Sequence, residues 1–143
     1  MAKVIAVNIS DKKGMVKHPI EKGFFKLNHG LEGDAHAGNW HRQVSFLGVE
    51  SIDKMKAKGI EGLESGKFAE NLTTEGIILY ELPVGTKLKV GEVTLEVTQI
   101  GKECHQGCEI RNLVGDCVMP REGIFARVLI EGFIKAGDEI EVV

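Results

Sequence analysis

The plainest pattern in the chain is a two-residue alternation in VGTKLKVGEVTLEVTQIG (84–101). Leu88 and Val90 alternate with lysines, and Val93, Leu95 and Val97 alternate with Thr94, Glu96 and Thr98. Successive side chains of a strand point to opposite faces, so this spacing predicts two half-buried strands joined at Gly91-Glu92. IFARVLIEG (124–132) and DEIEVV (138–143) repeat the style. KVIAVNIS (3–10) is rich in β-branched residues and predicts a first strand, closed by the turn-like SDKKG, with a weaker strand around Met15 to Ile20. VSFLG (44–48) predicts a short strand.

Helical periodicity is scarce. VESIDKMKAKG (49–59) is the best helix, with Ile52 and Met55 three apart and Gly59 as its stop. FFKLNHGLEGDAHAGNWHRQ (24–43) shows no clean period, and Gly30, Gly33 and Gly38 predict a long loop of the kind that carries function. FAENLTTEGI (68–77) is short and broken by glycine. Six to eight short strands with one or two short helices predict a mainly β fold: a closed or nearly closed β-barrel of short, mostly antiparallel strands.

Composition narrows the class. A chain of 143 residues with 43% apolar and 27% charged residues fits one soluble domain spanning 1–143, able to bury its own core. The 18 glycines against 3 prolines suit many tight turns. A net charge of −3 gives no broad attraction to nucleic acid or to an anionic membrane. No apolar run approaches the ~20 residues that cross a bilayer, and the start MAKVIAVNIS lacks the features of a signal peptide. The expectation is a cytoplasmic protein, whose three cysteines stay out of permanent disulfides.

Those cysteines supply the candidate chemistry. GKECHQGCEIRNLVGDCVMPREGIFARV (101–128) holds Cys104, Cys108 and Cys117, together with His105, Arg111, Arg121 and Arg127. Three readings compete. A Cys₃His zinc set is permitted by the spacing, but a second C-x₂-C pair is missing. Burial as small hydrophobes suits Cys117, between VGD and VMP, better than Cys104 and Cys108 in the polar KECHQGCE. A reactive thiol is the third: Lys102, His105, Arg111 and Arg121 are near in sequence, and positive charge lowers a thiol's pKa. Such a thiolate can take a sulfane sulfur by the displacement chemistry of thiol–disulfide exchange and hold it as a persulfide. On residue chemistry alone the second and third readings stand level. The four arginines, Arg42, Arg111, Arg121 and Arg127, fall in the glycine loop and in or just after the cysteine stretch. Guanidinium matches phosphate and carboxylate with two parallel donors, so the placement suggests one anion pocket built by both segments.

GDAHAG…HRQVSFL, FAENLTTEGI, LPVGTKLKVGEVTLEVTQIGKECHQGC and GDCVMPREGIFARVL…GFIKAGDEIEV together resemble the MOSC domain, named for the C-terminal domain of molybdenum cofactor sulfurase, in its small stand-alone bacterial form. The resemblance runs from about Val4 to Val143. It implies a β-rich barrel, cytoplasmic location, and sulfur transfer tied to the molybdenum cofactor (molybdopterin). It also implies a sulfur-carrying cysteine: Cys108 first, in GCEI, and Cys104 second. Where many relatives place arginine before that cysteine, this chain has Gly107. By the same resemblance Asp34, His36, His41, Arg42, Asn71, Arg121 and Arg127 become cofactor-binding candidates, with Glu70 beside Asn71. The competing roles are a turn for Asp34, solvated loop positions for His36 and His41, backbone capping for Asn71, and a buried ion pair for Arg127.

The desulfurase domain of the full-length sulfurases uses pyridoxal phosphate and has no counterpart here, so that cofactor would enter only through a cysteine desulfurase-type partner. Molybdenum cofactor biosynthesis proteins or molybdoenzymes are the other implied partners, with neither nucleic acid nor membrane among them. Two alternatives stand beside this expectation: a zinc-stabilised, non-catalytic accessory module, and a small molybdenum-dependent reductase of N-hydroxylated compounds.

Overall fold

The structure, a computed structural model, describes residues 2–12, 16–57, 66, 70–101 and 122–143. In chain order it runs β1 (Lys3–Ile9), β2 (His18–Ile20), β3 (Lys22–Lys26), β4 (Gly30–Leu31), β5 (Val44–Gly48), α1 (Val49–Lys56), β6 (Leu72–Glu75), β7 (Lys87–Val90), β8 (Val93–Ile100), β9 (Ile124–Ile130), β10 (Gly132–Lys135) and β11 (Ile140–Val142). Eight strands form one sheet in the order β11-β7-β8-β9-β5-β6-β1-β2, and β10-β3-β4 form a second. Pairing is antiparallel except between β5 and β6. The protein is mainly β with one α-helix among the described residues.

The alternating hairpin folds as its pattern dictates. Leu88 faces Leu95 and Val90 faces Val93, all four fully buried, while Lys87 and Lys89 are exposed. These side chains join Val4, Phe25, Leu31, Phe46, Val128 and Ile134 in one core that draws on strands of both sheets. α1 stops at Lys56, buries Ile52 and Met55, and carries Lys54 and Lys56 in its last turn, where cations suit the helix dipole.

Two stretches depart from the sequence reading. Residues 24–43 were expected as loop throughout, yet their first residues complete β3 and Gly30–Leu31 form β4. The paired phenylalanines of KGFFK conceal the alternation, since Phe25 is buried while Phe24 packs edge-on against Phe133 of β10. LTTE, read only as a broken segment, is β6, and it lies parallel to β5 in the sheet. The large sheet's ends also approach each other. Lys3 of β1 forms a bridge to Glu139, and the amides of Val4 and Ile140 donate to Asp138 O and Ala2 O at 2.8 and 2.9 Å.

Candidate functional site

β8 is not a regular strand at its far end. Its register against β9 shifts between Val97 and Gln99, and such a bulge lets neighbouring side chains leave their alternating faces. Both Thr98 and Gln99 consequently reach the glycine loop. Thr98 Oγ1 lies within hydrogen-bonding reach of His41 O, and 3.2 Å from Phe125 O. The Gln99 carboxamide donates from Nε2 to Gly101 O at 2.7 Å, which fixes Oε1 as its acceptor end. Oε1 in turn lies 3.0 Å from His41 Nε2 and accepts from Arg42 Nε at 3.1 Å. His41 therefore carries a ring hydrogen on Nε2. Arg42 lies over the rings of Trp40 and Phe125, 5.9 and 5.4 Å from their centroids, within cation–π range.

The loop that presents these groups is anchored by a buried ion pair. Lys17 Nζ donates to Asp34 Oδ1 at 2.7 Å, and neither side chain is exposed. Asp34 also accepts from the amides of Ser10 and His36, both at 3.1 Å. Lys17 Nζ is 3.2 Å from His36 Nδ1. An ammonium only donates, so His36 Nδ1 accepts and Nε2 bears its hydrogen. Trp40 Nε1 donates to His36 O at 2.8 Å, which passes the anchoring on to Trp40. Gly30 allows the loop to close: its φ is +105°, and a Cβ there would stand 2.5 Å from Gln43 O.

The described residues bring both ends of the cysteine segment to this place. Gly101 N donates to Gly123 O at 2.6 Å, directly beyond Gln99. Glu122, next to Gly123, accepts from Ser51 Oγ at 2.7 Å and from Lys54 Nζ at 2.9 Å. Lys54 also donates to the Tyr80 hydroxyl at 3.3 Å. These contacts border a cavity of about 240 Å³ floored by Ile77, Ile78 and Leu79. The Glu122 bond, and after it the Tyr80 bond, holds the Lys54 ammonium above its ordinary 10.5.

Of the residues expected from sequence, His41 and Arg42 meet on Gln99. Asp34 and His36 lie in the Lys17 knot instead. Asn71 is fully buried: its Oδ1 accepts from Ser45 N and Oγ at 3.0 and 3.1 Å, and its Nδ2 donates to Asn8 O at 3.3 Å. Glu70 is buried beside it and accepts from Thr73 Oγ1 at 2.7 Å. Arg127 points outward from β9 and pairs with Glu96 at 2.7 Å, half-exposed rather than buried. It borders the same cleft as His41, about 500 Å³ in volume. Cys104, Cys108, Cys117, His105, Arg111 and Arg121 lie outside the described residues. Among the described residues no three of His, Cys, Asp and Glu form a metal-ligand cluster. Sequence reasoning missed Lys17, a lone lysine before a short strand. It also missed Gln99, whose position at a strand end gives no chemical signal.

The model of the MOSC domain matches residues 33–141. The chain belongs to the MOSC domain family. Solved structures agree in fold. The YUAD protein from Bacillus subtilis superposes with a TM-score of 0.81 at 22% identity, over 97% of this chain and 93% of that one. YiiM from Geobacillus stearothermophilus gives 0.78 at 18% identity, over 100% and 75%. YiiM from Escherichia coli gives 0.74 at 19%, over 100% and 70%. No curated protein matches the sequence. In this MOSC domain the matched region contains the glycine loop from Gly33 onward, Gln99 and the whole cysteine segment. Among the described residues no helix is long and apolar enough to cross a membrane.

Proposed function

We propose that this MOSC domain binds an anionic, molybdopterin-type cofactor and carries a sulfane sulfur on a cysteine of segment 102–121, Cys108 in the first place and Cys104 in the second. One observation carries the reading: the pinned ends of that segment, Gly101 and Gly123, adjoin the Arg42–Gln99–His41 cluster. The segment that carries the thiols thus begins and ends beside a guanidinium.

The donor set suits such a cofactor. Arg42 engages Gln99 through Nε alone, and its terminal nitrogens make no hydrogen bond among the described residues. They are free to meet a phosphate with the two-pronged geometry that guanidinium favours. Gln99 holds the guanidinium in place and Trp40 shields one face of it. His41, fixed with its hydrogen on Nε2, keeps Nδ1 as an acceptor. Arg121 and Arg127 are the further cationic candidates, while Asp34, His36 and Asn71 support the site from within. When bound, a molybdenum–pterin group supplies the metal that accepts sulfur. The residues of this chain supply binding charge and a nucleophilic thiol.

Loading needs no external oxidant. The cysteine thiolate attacks the terminal sulfur of a persulfide on a cysteine desulfurase-type partner, which uses pyridoxal phosphate. The partner's S–S bond breaks as the new one forms, and the partner's thiolate leaves with the electron pair. A molybdenum cofactor biosynthesis protein or a molybdoenzyme would be the acceptor, in a cytoplasmic setting. The bridge between β1 and Glu139 supports the inference that the sheet is a nearly closed β-barrel, with this cluster at one rim.

The test is intact-protein mass spectrometry after incubation with a cysteine desulfurase and cysteine. The wild type and Cys104→Ser should gain the mass of one sulfur, removable by a thiol reductant, and Cys108→Ser should gain none. Labelling of Cys104 alone moves the role to that residue. No sulfur gain in any of the three proteins sinks the carrier reading.

A further inference from the structure

Gly48 closes β5 in ordinary extended backbone, with φ −76° and ψ 144°. Any residue adopts that conformation, so nothing in the backbone calls for glycine there. What the missing Cβ provides is space. A Cβ on Gly48 would stand 2.9 Å from Glu50 Oε1 and 3.8 Å from Thr74 Oγ1. Gly48 and Thr74 are register partners across the parallel β5–β6 pair, so the gap and the hydroxyl share one face of the sheet. Neither oxygen has a hydrogen bond among the described residues. Thr74 is fully buried and its Oγ1 has no partner. The Glu50 carboxylate is held through Oε2, which accepts from Gly76 N at 2.7 Å, and Oε1 is left over. A buried hydroxyl with nothing to bond to is costly unless something else pairs with it.

The gap adjoins the cavity of about 240 Å³ beside α1, which Gly48 and Glu50 help to line. Ile77, Ile78 and Leu79 give that cavity an apolar floor, and Tyr80 adds to it. Its volume lies below the range of drug-sized sites, so its ligand is small. Its charges do not cancel. Lys54 pairs with Glu122 at 2.9 Å, while Glu50 forms no ion pair among the described residues. The lining therefore carries one negative charge in excess. The N-terminus of α1 faces the same gap, with Glu50 N 3.9 Å from the Cβ position. Its partial charge of about half an elementary unit is smaller than that of the Glu50 carboxylate, which also lies nearer.

We propose that this cavity binds a small aliphatic primary amine, whose ammonium donates to Glu50 Oε1 and Thr74 Oγ1 over Gly48 while its tail lies on Ile77, Ile78 and Leu79. Two oxygens without donors call for a group that brings several N–H bonds, and the unpaired carboxylate calls for a positive charge. An alcohol brings one hydrogen and no charge, and an anion meets Glu50 with like charge. The apolar floor calls for a hydrocarbon tail. Reaching Thr74 Oγ1 requires the Glu50 carboxylate to tilt outward, which its exposed side chain permits. The site uses no cysteine and no part of the Arg42 cluster, so it stands or falls separately from sulfur carriage.

Tyr80 is the chain's single tyrosine, which makes its ring signals a local reporter. The full chain is titrated at neutral pH with isoamylamine, with isoamyl alcohol (same tail, no charge) and with methylamine (same charge, no tail). Isoamylamine should give saturable NMR shifts of the Tyr80 ring and of the Gly48 and Gly76 amides. The alcohol and methylamine should bind at least about tenfold more weakly, as expected for losing a charge-assisted bond or the burial of the tail. Gly48→Ala fills the gap on a backbone that accepts alanine, and should weaken isoamylamine at least about tenfold. Thr74→Val removes the hydroxyl and should weaken isoamylamine several-fold. It should leave the urea midpoint equal or higher, because the group it removes has no partner. Glu50→Gln should erase the preference for the amine over the alcohol. Equal binding of amine and alcohol by the wild type overturns the proposal, as does the absence of saturable shifts. Undiminished amine binding by folded Gly48→Ala or folded Thr74→Val overturns it as well.

Discussion

Lys17 has its whole side chain out of water, between a carboxylate at 2.7 Å and an imidazole nitrogen at 3.2 Å. Taking an ion pair out of water costs more than its attraction easily returns, and removing one partner strands the other. Lys17→Met should therefore destabilise the protein by about 3–5 kcal/mol in urea unfolding, as should Asp34→Leu. The double variant Lys17→Met/Asp34→Leu should lose clearly less than the sum of the two, because no buried charge is left alone. Additive losses would mean that the two side chains do not act as a pair. Nothing in MVKHPI marks Lys17 as buried, since a lysine beside a strand is ordinarily solvated. Asp34 was legible as a cofactor-binding candidate or a turn residue of the glycine loop, not as half of an ion pair. Its partner, and with it the reason His36 turns Nδ1 inward, needed the fold.

At the scale of elements, legibility follows the number of faces an element presents to water. β7 and β8 have one wet face each, so their alternation is written in the sequence and came through in the structure. β5 is buried at every position, and an unbroken apolar run gives a strand's existence but not its neighbours. Its parallel pairing with β6 therefore could not be read. The bulge that turns Thr98 and Gln99 toward the same loop follows from tertiary contacts, so His41 and Arg42 were legible through motif while their shared partner was not. α1 gives an element-scale test through its Lys54–Glu122 contact. Lys54 has a folded-state pKa above the ordinary 10.5. Its contribution is then present in full below 10.5 and is lost as pH climbs through the higher folded value. Wild type should exceed Glu122→Gln in urea midpoint by a constant margin from pH 7 to about 9.5, and that margin should shrink above about 10.5. A margin that grows with alkaline pH would reverse the sign and exclude this contact as the cause.

For the whole molecule the open question of shape comes down to one seam. An eight-stranded open sheet leaves the outer edges of β11 and β2 unpaired, which invites pairing with other chains. Here β1, second from one end, also turns toward β11 at the other end. Gly137 N donates to Val4 O at 2.7 Å, beside the Val4, Ile140 and Lys3–Glu139 contacts. Those bonds lie over fully or largely buried Val4 and Ile140, so the seam carries core packing as well as backbone pairing. If it closes the sheet, its amides open only when the core opens, and their hydrogen exchange should share the protection of the central β8–β9 pair. The amides of Val4, Gly137 and Ile140 should exchange as slowly as that of Leu95, with the same dependence on added urea. Fast, urea-independent exchange at all three would show a frayed edge, and the sheet would then be an open one whose rim moves independently of the Arg42 cluster. Slow exchange would tie the first and last strands, the loop anchor at Ser10 and the cysteine segment's ends into one cooperative unit. In that case Lys17→Met should speed exchange across the seam and the cluster together.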